Sequence, residues 1–185
     1  RPSLDLDGIG LPVVAWEEPD TEGGVFHVRV HRWTGSEWSA VGGGLSAVSG
    51  STEAGYASLA LSTIGDPMVA WDEGQANAPY DVYVRQRVAG NWVVIGPKQT
   101  AHPLDPKAQV PSLRLGADDV PVLAWEEHLD IYVRRWNGTS WTALGGAVDR
   151  VGTASRAVSL ALGGDGSALV AFVSDGDVQI RQYNQ

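Results

Sequence analysis

One phrase recurs along this chain: "PVVAWEE" from Pro12, "PMVAWDE" from Pro67 and "PVLAWEE" from Pro121, with a divergent copy, "ALVAFVS", from Ala168. Aligning Trp16, Trp71, Trp125 and Phe172 gives steps of 55, 54 and 47 residues. A second, independent anchor takes the same three steps: Ser3, Ser58, Ser112 and Ser159 open "SLDL", "SLAL", "SLRL" and "SLAL". Two anchors in step throughout mean that one supersecondary unit is written four times. Such a repeat limits the fold more than any composition does.

Each unit reads as a run of short strands. The SLxL stretch places its two leucines on one face at period two. A Gly/Asp turn follows ("DGIG", "TIGD", "GADD", "GGDG"), then the recurring phrase, then a third strand ("VRVHRW", "VYVRQR", "IYVRRW", "VQIRQY"). A fourth begins at Trp38, Trp92 and Trp141, after the turns "TGSE", "VAGN" and "NGTS"; no such strand follows "VQIRQYNQ". β-Branched and aromatic residues fill the strands, Gly, Asn, Asp and Ser fill the gaps, and no stretch has a helical period.

Four-stranded sheets repeating at about 40–50 residues are the sequence signature of β-propeller blades. The expected fold is therefore all-β, a propeller of four tandem four-stranded antiparallel blades at about 2–46, 57–97, 111–147 and 157–185. The last blade lacks its fourth strand. A solenoid or a stacked β-sandwich would repeat in a similar way. An unpaired final edge is a liability in water. Four blades closing imperfectly would leave that edge open, so it points rather to a piece of a longer propeller, or to self-association in which two chains complete one eight-bladed ring.

The third-to-fourth hairpins "RWTGSEW" and "RWNGTSW" resemble a degenerate form of the Asp-box turn of sialidase-like propellers, whose pattern is Ser-x-Asp-x-Gly-x-Thr-Trp. The Gly and Trp are kept; the Ser and Asp are not. The resemblance to bacterial Asp-box, sialidase-like or lectin-type propellers covers the chain at the level of architecture. It carries no catalytic residue across, because the arginine triad and tyrosine nucleophile of a sialidase have no assignable positions here.

In a propeller the middle strands of a blade meet neighbours on both faces, which accounts for Val13, Val14 and Trp16 in close succession. Trp16, Trp71, Trp125 and Phe172 are then blade-to-blade packing, each tryptophan burying roughly 150–250 Å². Joining the second and third strands through a three-residue loop, "HLD" (128–130), sets Ala124 opposite Arg134. The same register puts Ala15 by His31, Ala70 by Arg85 and Ala171 by Arg181. Glu17, Asp72 and Glu126 then share a face with those bases as structural ion pairs, Val173 replacing the acid in the fourth unit. Facing a cavity instead, the arginines would suit a ligand carboxylate.

The loops after the phrase gather at one mouth of the ring: "EEPDTEGG", "DEGQANAPYD", "EEHLD" and "SDGD". Candidate ligand contacts there are Glu18, Glu73, Glu127, Asp175 and Tyr80. Three readings fit this acidity: solvated loops, a hard-cation site for Ca²⁺, or a sugar site of carboxylates beside aromatics such as Tyr80 and Phe26.

Several function classes are excluded or weakened. The chain has no cysteine, so disulfide and thiolate chemistry are absent. A net charge of −9, with no cluster of Lys and Arg, disfavours nucleic acid and anionic membrane surfaces. No run of eighteen apolar residues suggests a membrane span. HExxH, GxSxG, Walker A and GxGxxG are all missing. His27, His31, His102 and His128 form no close cluster in this reading, and "DLDG" and "GGDG" read as hairpin turns rather than Ca²⁺ loops.

Near-identical blades favour binding or assembly, since catalysis usually breaks symmetry at one site. The expectation is a non-enzymatic, exported module, extracellular or on a bacterial cell surface, recognising carbohydrate or protein without a required cofactor. The alternatives are a sialidase-like glycoside hydrolase and a structural or filament-forming subunit.

Overall fold

A computed structural model describes residues 1–48, 53–75, 79–148 and 155–184. The first sheet holds β1 (Ser3–Leu6), β2 (Pro12–Pro19), β3 (Phe26–Trp33) and β4 (Trp38–Ala40). The second holds β5 (Glu53–Leu61), β6 (Pro67–Gly74), β7 (Tyr80–Val88) and β8 (Asn91–Val94). The third holds β9 (Gln109–Leu115), β10 (Pro121–Glu127), β11 (Asp130–Trp136) and β12 (Trp141–Ala143). β13 (Ser155–Leu162), β14 (Ala168–Ser174) and β15 (Asp177–Tyr183) make a fourth sheet of three strands. Strands run antiparallel and consecutively in every sheet, as the repeat requires.

The two faces of the recurring phrase pack in opposite directions. Val13, Ala15, Val28 and Val30 of the first sheet form one core with Leu59, Val69 and Trp71 of the second. Ala70, Val82 and Val84 do the same with Leu113, Leu123 and Trp125 of the third. Val122, Ala124, Ile131 and Val133 complete the series with Leu160, Val170 and Phe172 of the fourth. Each blade thus presents its alanine face forward and its tryptophan face backward. The small Ala leaves space on one side for the indole that arrives from the next blade.

The second anchor of the repeat is a hydrogen bond between blades. Ser3 Oγ accepts the Leu59 N–H at 2.9 Å, Ser58 Oγ that of Leu113 at 2.9 Å, and Ser112 Oγ that of Leu160 at 3.1 Å. Inner strands, which lack a sheet partner on that side, are satisfied in this way by their neighbour.

The acid two residues after the tryptophan fastens the interface at its other end. Glu73 accepts the Trp71 indole N–H at 2.8 Å. It also accepts the Ser46 hydroxyl at 2.6 Å and the N–H groups of Ala47 and Val48 at 2.6 and 3.0 Å, all from the loop leaving the first sheet. Glu127 repeats the clamp with Trp125, Thr100, Ala101 and His102 at 2.9, 2.5, 2.6 and 2.9 Å. Arg85 and Arg134 cover the outer faces of the two indoles, 5.7 and 5.0 Å from the ring centroids. They also reach the preceding loop, Arg85 through Ser46 O and Arg134 through Gln99 Oε1 and Thr100 O. In the fourth sheet Phe172 has no side-chain N–H to satisfy, and Ser174 stands where the acid stands elsewhere. Arg181 donates to its neighbour's carbonyl, Ile180 O.

The strand register differs by one residue from the sequence expectation. Arg134 pairs with Leu123, not Ala124; His31 pairs with Val14, Arg85 with Val69 and Arg181 with Val170. The cause is the hairpin, where Glu127 pairs with Asp130 around a two-residue turn. His128 and Leu129 both adopt positive φ, 53° and 66°, the geometry of a type I′ turn that Asn-Gly normally announces. A slip of one residue moves a side chain to the other face. The bases therefore join the tryptophan and Glu73/Glu127 face, and Glu17, Asp72 and Glu126 take the opposite one.

Trp16 also departs from expectation. Among the described residues no sheet packs on its face, so it is half-buried, tilted against His31 at 4.9 Å, with its N–H on Glu18 Oε2 at 2.8 Å.

These placements set different costs for the same substitution. Glu127→Gln turns an NH₂ toward donors and should lower stability by about 2–3 kcal/mol, whereas Glu18→Gln on the exposed face should cost less than about 1 kcal/mol. Burial alone would raise the Glu127 pKa, but the hydrogen bonds from Thr100, Trp125, Ala101 and His102 outweigh it and hold the carboxyl below its ordinary 4.5. Its contribution is thus complete above pH 4.5 and fades as pH falls through the lower folded value. Urea unfolding across pH 3–7 should show the E127Q deficit shrinking in acid; a constant deficit would contradict the clamp.

Candidate functional site

The acidic mouth divides along the two faces of each second strand. Glu73 and Glu127, expected as ligand contacts, are buried in the clamps, and Glu18 lies with Trp16 and Arg29 on the outer face of the first blade. Asp175 occupies the β14–β15 turn, exposed, at φ 52° and followed by Gly176. Of the five candidates, Tyr80 lines a pocket at the mouth. Asp20 is held by Arg29 and lies 3.0 Å from His27 Nε2, and Asp81 is held by Lys98 at 2.6 Å.

The acids on the opposite face meet the next blade at a strained backbone position. Tyr56, Val110 and Ala157 all have positive φ (49°, 51° and 59°), each in the bulge that shifts the register near the start of β5, β9 and β13. Positive φ is rare for residues with a side chain and a genuine outlier for β-branched Val. The strain is tied down from the preceding blade: Asp72 Oδ2 accepts the Val110 N–H at 2.9 Å, and Glu126 Oε1 that of Ala157 at 2.7 Å. Bulges of this kind re-aim side chains near sites.

At the first of them Tyr56 turns into a pocket of about 350 Å³. Three carboxyls line it, Glu17, Glu53 and Asp72, together with Phe26, Tyr56 and Tyr80. Two glycines permit this crowding. A Cβ on Gly55 would sit 3.1 Å from Asp72 Oδ1, and one on Gly74 would lie 2.4 Å from Pro79 O and 2.9 Å from the Tyr80 ring. Glu17 Oε2 is buried and, among the described residues, accepts no hydrogen bond. Asp72 is almost fully buried, and burial raises its pKa from 3.8 to about 7. The Val110 N–H opposes this, while the charges of Glu17 and Glu126 reinforce it. The Tyr80 phenol is also raised, by burial first and then by Glu53, Asp72 and Tyr56.

Phe26 and Tyr80 were legible as aromatics at the acidic mouth. Glu17 and Asp72 lie on the alanine face, as alternation along the strand predicts; the ion pairs expected there do not form because the register puts His31 and Arg85 on the opposite face. Nothing in the sequence marks Tyr56, whose direction depends on the bulge.

Among the described residues no three His, Asp or Glu are grouped to hold a metal ion. The histidines are closer than expected: His102 and His128 lie with ring centroids 4.6 Å apart, and His102 Nε2 is 2.9 Å from the Tyr132 hydroxyl. Folding of the loop after β8 against the β10–β11 hairpin brings them together, which their separation in sequence does not reveal.

No protein-family model matches this chain, and no curated protein resembles it significantly in sequence. Solved structures do resemble it in fold. An α-L-arabinanase from Penicillium chrysogenum, complexed with arabinobiose, superposes with a TM-score of 0.63 at 12% identity over 100% of this chain and 62% of its own. A sialidase from Trypanosoma rangeli gives 0.59 at 11% identity over 100% of this chain and 36% of its own. A thermostable family-43 glycoside hydrolase gives 0.58 at 12% identity over 98% of this chain and 69% of its own. The chain thus has a β-propeller fold and spans between about a third and two thirds of these proteins.

The titration of Asp72 has a direct consequence. Its folded pKa, about 7, lies above the unfolded 3.8, so the stability linked to its proton is complete below pH 3.8 and is lost as pH rises through about 7. Asp72→Asn keeps a carbonyl for the Val110 N–H and loses the titration. The variant should exceed wild type in stability at pH 8, with the gap closing toward pH 4 in urea unfolding. A gap independent of pH would contradict the assignment.

Proposed function

We propose that this propeller is a carbohydrate-binding module that seats a sugar in the mouth pocket between the first and second blades, without a metal ion. One observation carries the reading: carboxyls of Glu17, Glu53 and Asp72 face rings of Phe26, Tyr56 and Tyr80 around a single pocket. A sugar offers apolar C–H faces to aromatic rings and hydroxyl donors to carboxylates, and charge-assisted O–H···O⁻ bonds are the strong ones. Glu17 Oε2, buried without a protein donor among the described residues, suits such a hydroxyl. The arabinobiose held by the arabinanase of like fold supports a carbohydrate as the first ligand class to test.

A second reading, glycoside hydrolysis, is favoured by Asp72 itself. Hydrolysis uses one carboxyl kept protonated near neutral pH and another that acts as base or nucleophile. Asp72, raised to about 7, fits the acid, and Glu17 is the neighbouring carboxyl in the same pocket.

Titration calorimetry against a panel of arabino-, sialyl- and neutral oligosaccharides separates the readings, with product analysis of the same mixtures. Binding without turnover, weakened about tenfold (~1.4 kcal/mol) or more by Tyr80→Ala and unchanged by EDTA, is the expected result. Turnover abolished by Asp72→Asn would replace the binding reading with the hydrolytic one. No binding to any sugar by the folded protein would overturn both.

A further inference from the structure

The turn between the first two strands of each blade is built alike, and one of its residues has positive φ: Gly10 (83°), Gly65 (84°), Asp119 (59°) and Gly166 (78°). That residue's N–H closes the turn each time, Gly65 on Ser62 O, Asp119 on Gly116 O and Gly166 on Gly163 O. The preceding blade faces this turn with one position of its third strand. Arg32, Gln86 and Arg135 hold that position, opposite Val13, Met68 and Val122 and so on the face turned to the next blade. At the first interface Arg32 donates to Gly65 O, and at the third Arg135 donates to Gly166 O. The Nε of both guanidiniums is buried. At the middle interface the bridge is missing. Gln86 replaces the arginine, and among the described residues neither its side-chain amide nor Asp119 O has a hydrogen-bond partner. A pocket of about 380 Å³ opens there, lined by Met68, Gln86, Ile95, Asp118, Asp119 and Trp136 among others. It shares no lining residue with the acidic pocket at the mouth.

We propose that this pocket takes the guanidinium of an arginine side chain presented by a partner polypeptide, in the place that an internal arginine fills at the two sister interfaces. Each wall suits that group. Asp119 O is the carbonyl whose counterparts accept Arg32 and Arg135, and the Gln86 side-chain oxygen is a second acceptor beside it. The Asp118 carboxylate stands exposed at the pocket, with Oδ1 on the Val120 N–H at 3.2 Å. Its other oxygen is available for a charge-assisted bond from a planar donor fork. The Asp119 carboxylate, tied to the Thr63 N–H and hydroxyl at 2.7 Å each, adds fixed negative charge. Met68 and Ile95 offer apolar surface to the aliphatic stem of the incoming side chain. Trp136 completes the wall, where the same strand position carries Arg87 in the second blade and Tyr183 in the fourth. Indole is the ring that attracts a cation most strongly. Arg135 also borders the pocket, but its guanidinium is engaged with Gly166 O at the next interface. The net charge of −9 favours the approach of a basic partner.

The probe is the capped tripeptide Gly-Arg-Gly, titrated to about 50 mM into ¹⁵N-labelled protein, a range that captures the weak affinity of one side chain. The Trp136 indole and Gln86 amide signals should move to saturation. The same tripeptide with citrulline, which keeps the shape and loses the charge, should bind about tenfold more weakly or less. Gln86→Arg restores the internal bridge of the sister interfaces, so it should fill the pocket, keep the fold and abolish the shift at Trp136. Should Q86R not fold, Asp118→Asn at its exposed position serves instead and should weaken binding about threefold. Four results would each overturn the proposal: no shift with the arginine peptide, equal binding of the citrulline peptide, undiminished binding to the folded variant, or binding of free L-arginine without the capped peptide.

Discussion

A carboxylate shared between an indole and a neighbouring loop is the interaction on which this architecture rests. Glu73 and Glu127 are buried, yet each accepts the N–H of the tryptophan two residues before it, two backbone N–H groups and a hydroxyl. A buried carboxylate without partners would be costly. Here the partners come from two blades, so the charge is satisfied only when both are in place. Apolar burial of Trp71 and Trp125 supplies the attraction; the acid supplies the register between sheets.

The neighbouring acid of the same phrase meets a different physical situation. Glu17, Asp72 and Glu126 lie on the forward face at the mouth; to Asp72 and Glu126 the next blade offers a strained bulge amide rather than a donor-rich loop, while Glu17 Oε1 takes the N-terminal ammonium of Arg1. Asp72 gains a single backbone hydrogen bond against near-complete burial and two like charges, and its carboxyl is held protonated to about neutral pH. The two kinds of site thus move their carboxyls in opposite directions. Glu127 is pulled down by its donors and Asp72 pushed up by their scarcity. The stable acid fastens blades; the unsettled one lines the pocket.

Directional packing is the other consequence of the repeat. Alanine faces forward and the aromatic of the phrase, Trp71, Trp125 or Phe172, backward, so each of these interfaces is heterologous. The first blade departs from the pattern at Arg29 and His31, and the fourth at Phe172, Ser174 and Gln179.

The repeat alone determined a great deal: all-β class, four units, strand order within each sheet, and Trp71 and Trp125 between blades. These follow from period-two alternation and from anchors spaced identically, which are properties of local sequence. What lay outside it was the pairing register, because that turns on His128 and Leu129 adopting positive φ without the Asn-Gly signal that usually forecasts it. Tertiary structure alone decided which acid of each pair is a fastener and which faces the pocket, where Tyr56 points, and that His102 meets His128. Those outcomes depend on which neighbouring blade supplies donors, rings or strain, and no single strand contains that information.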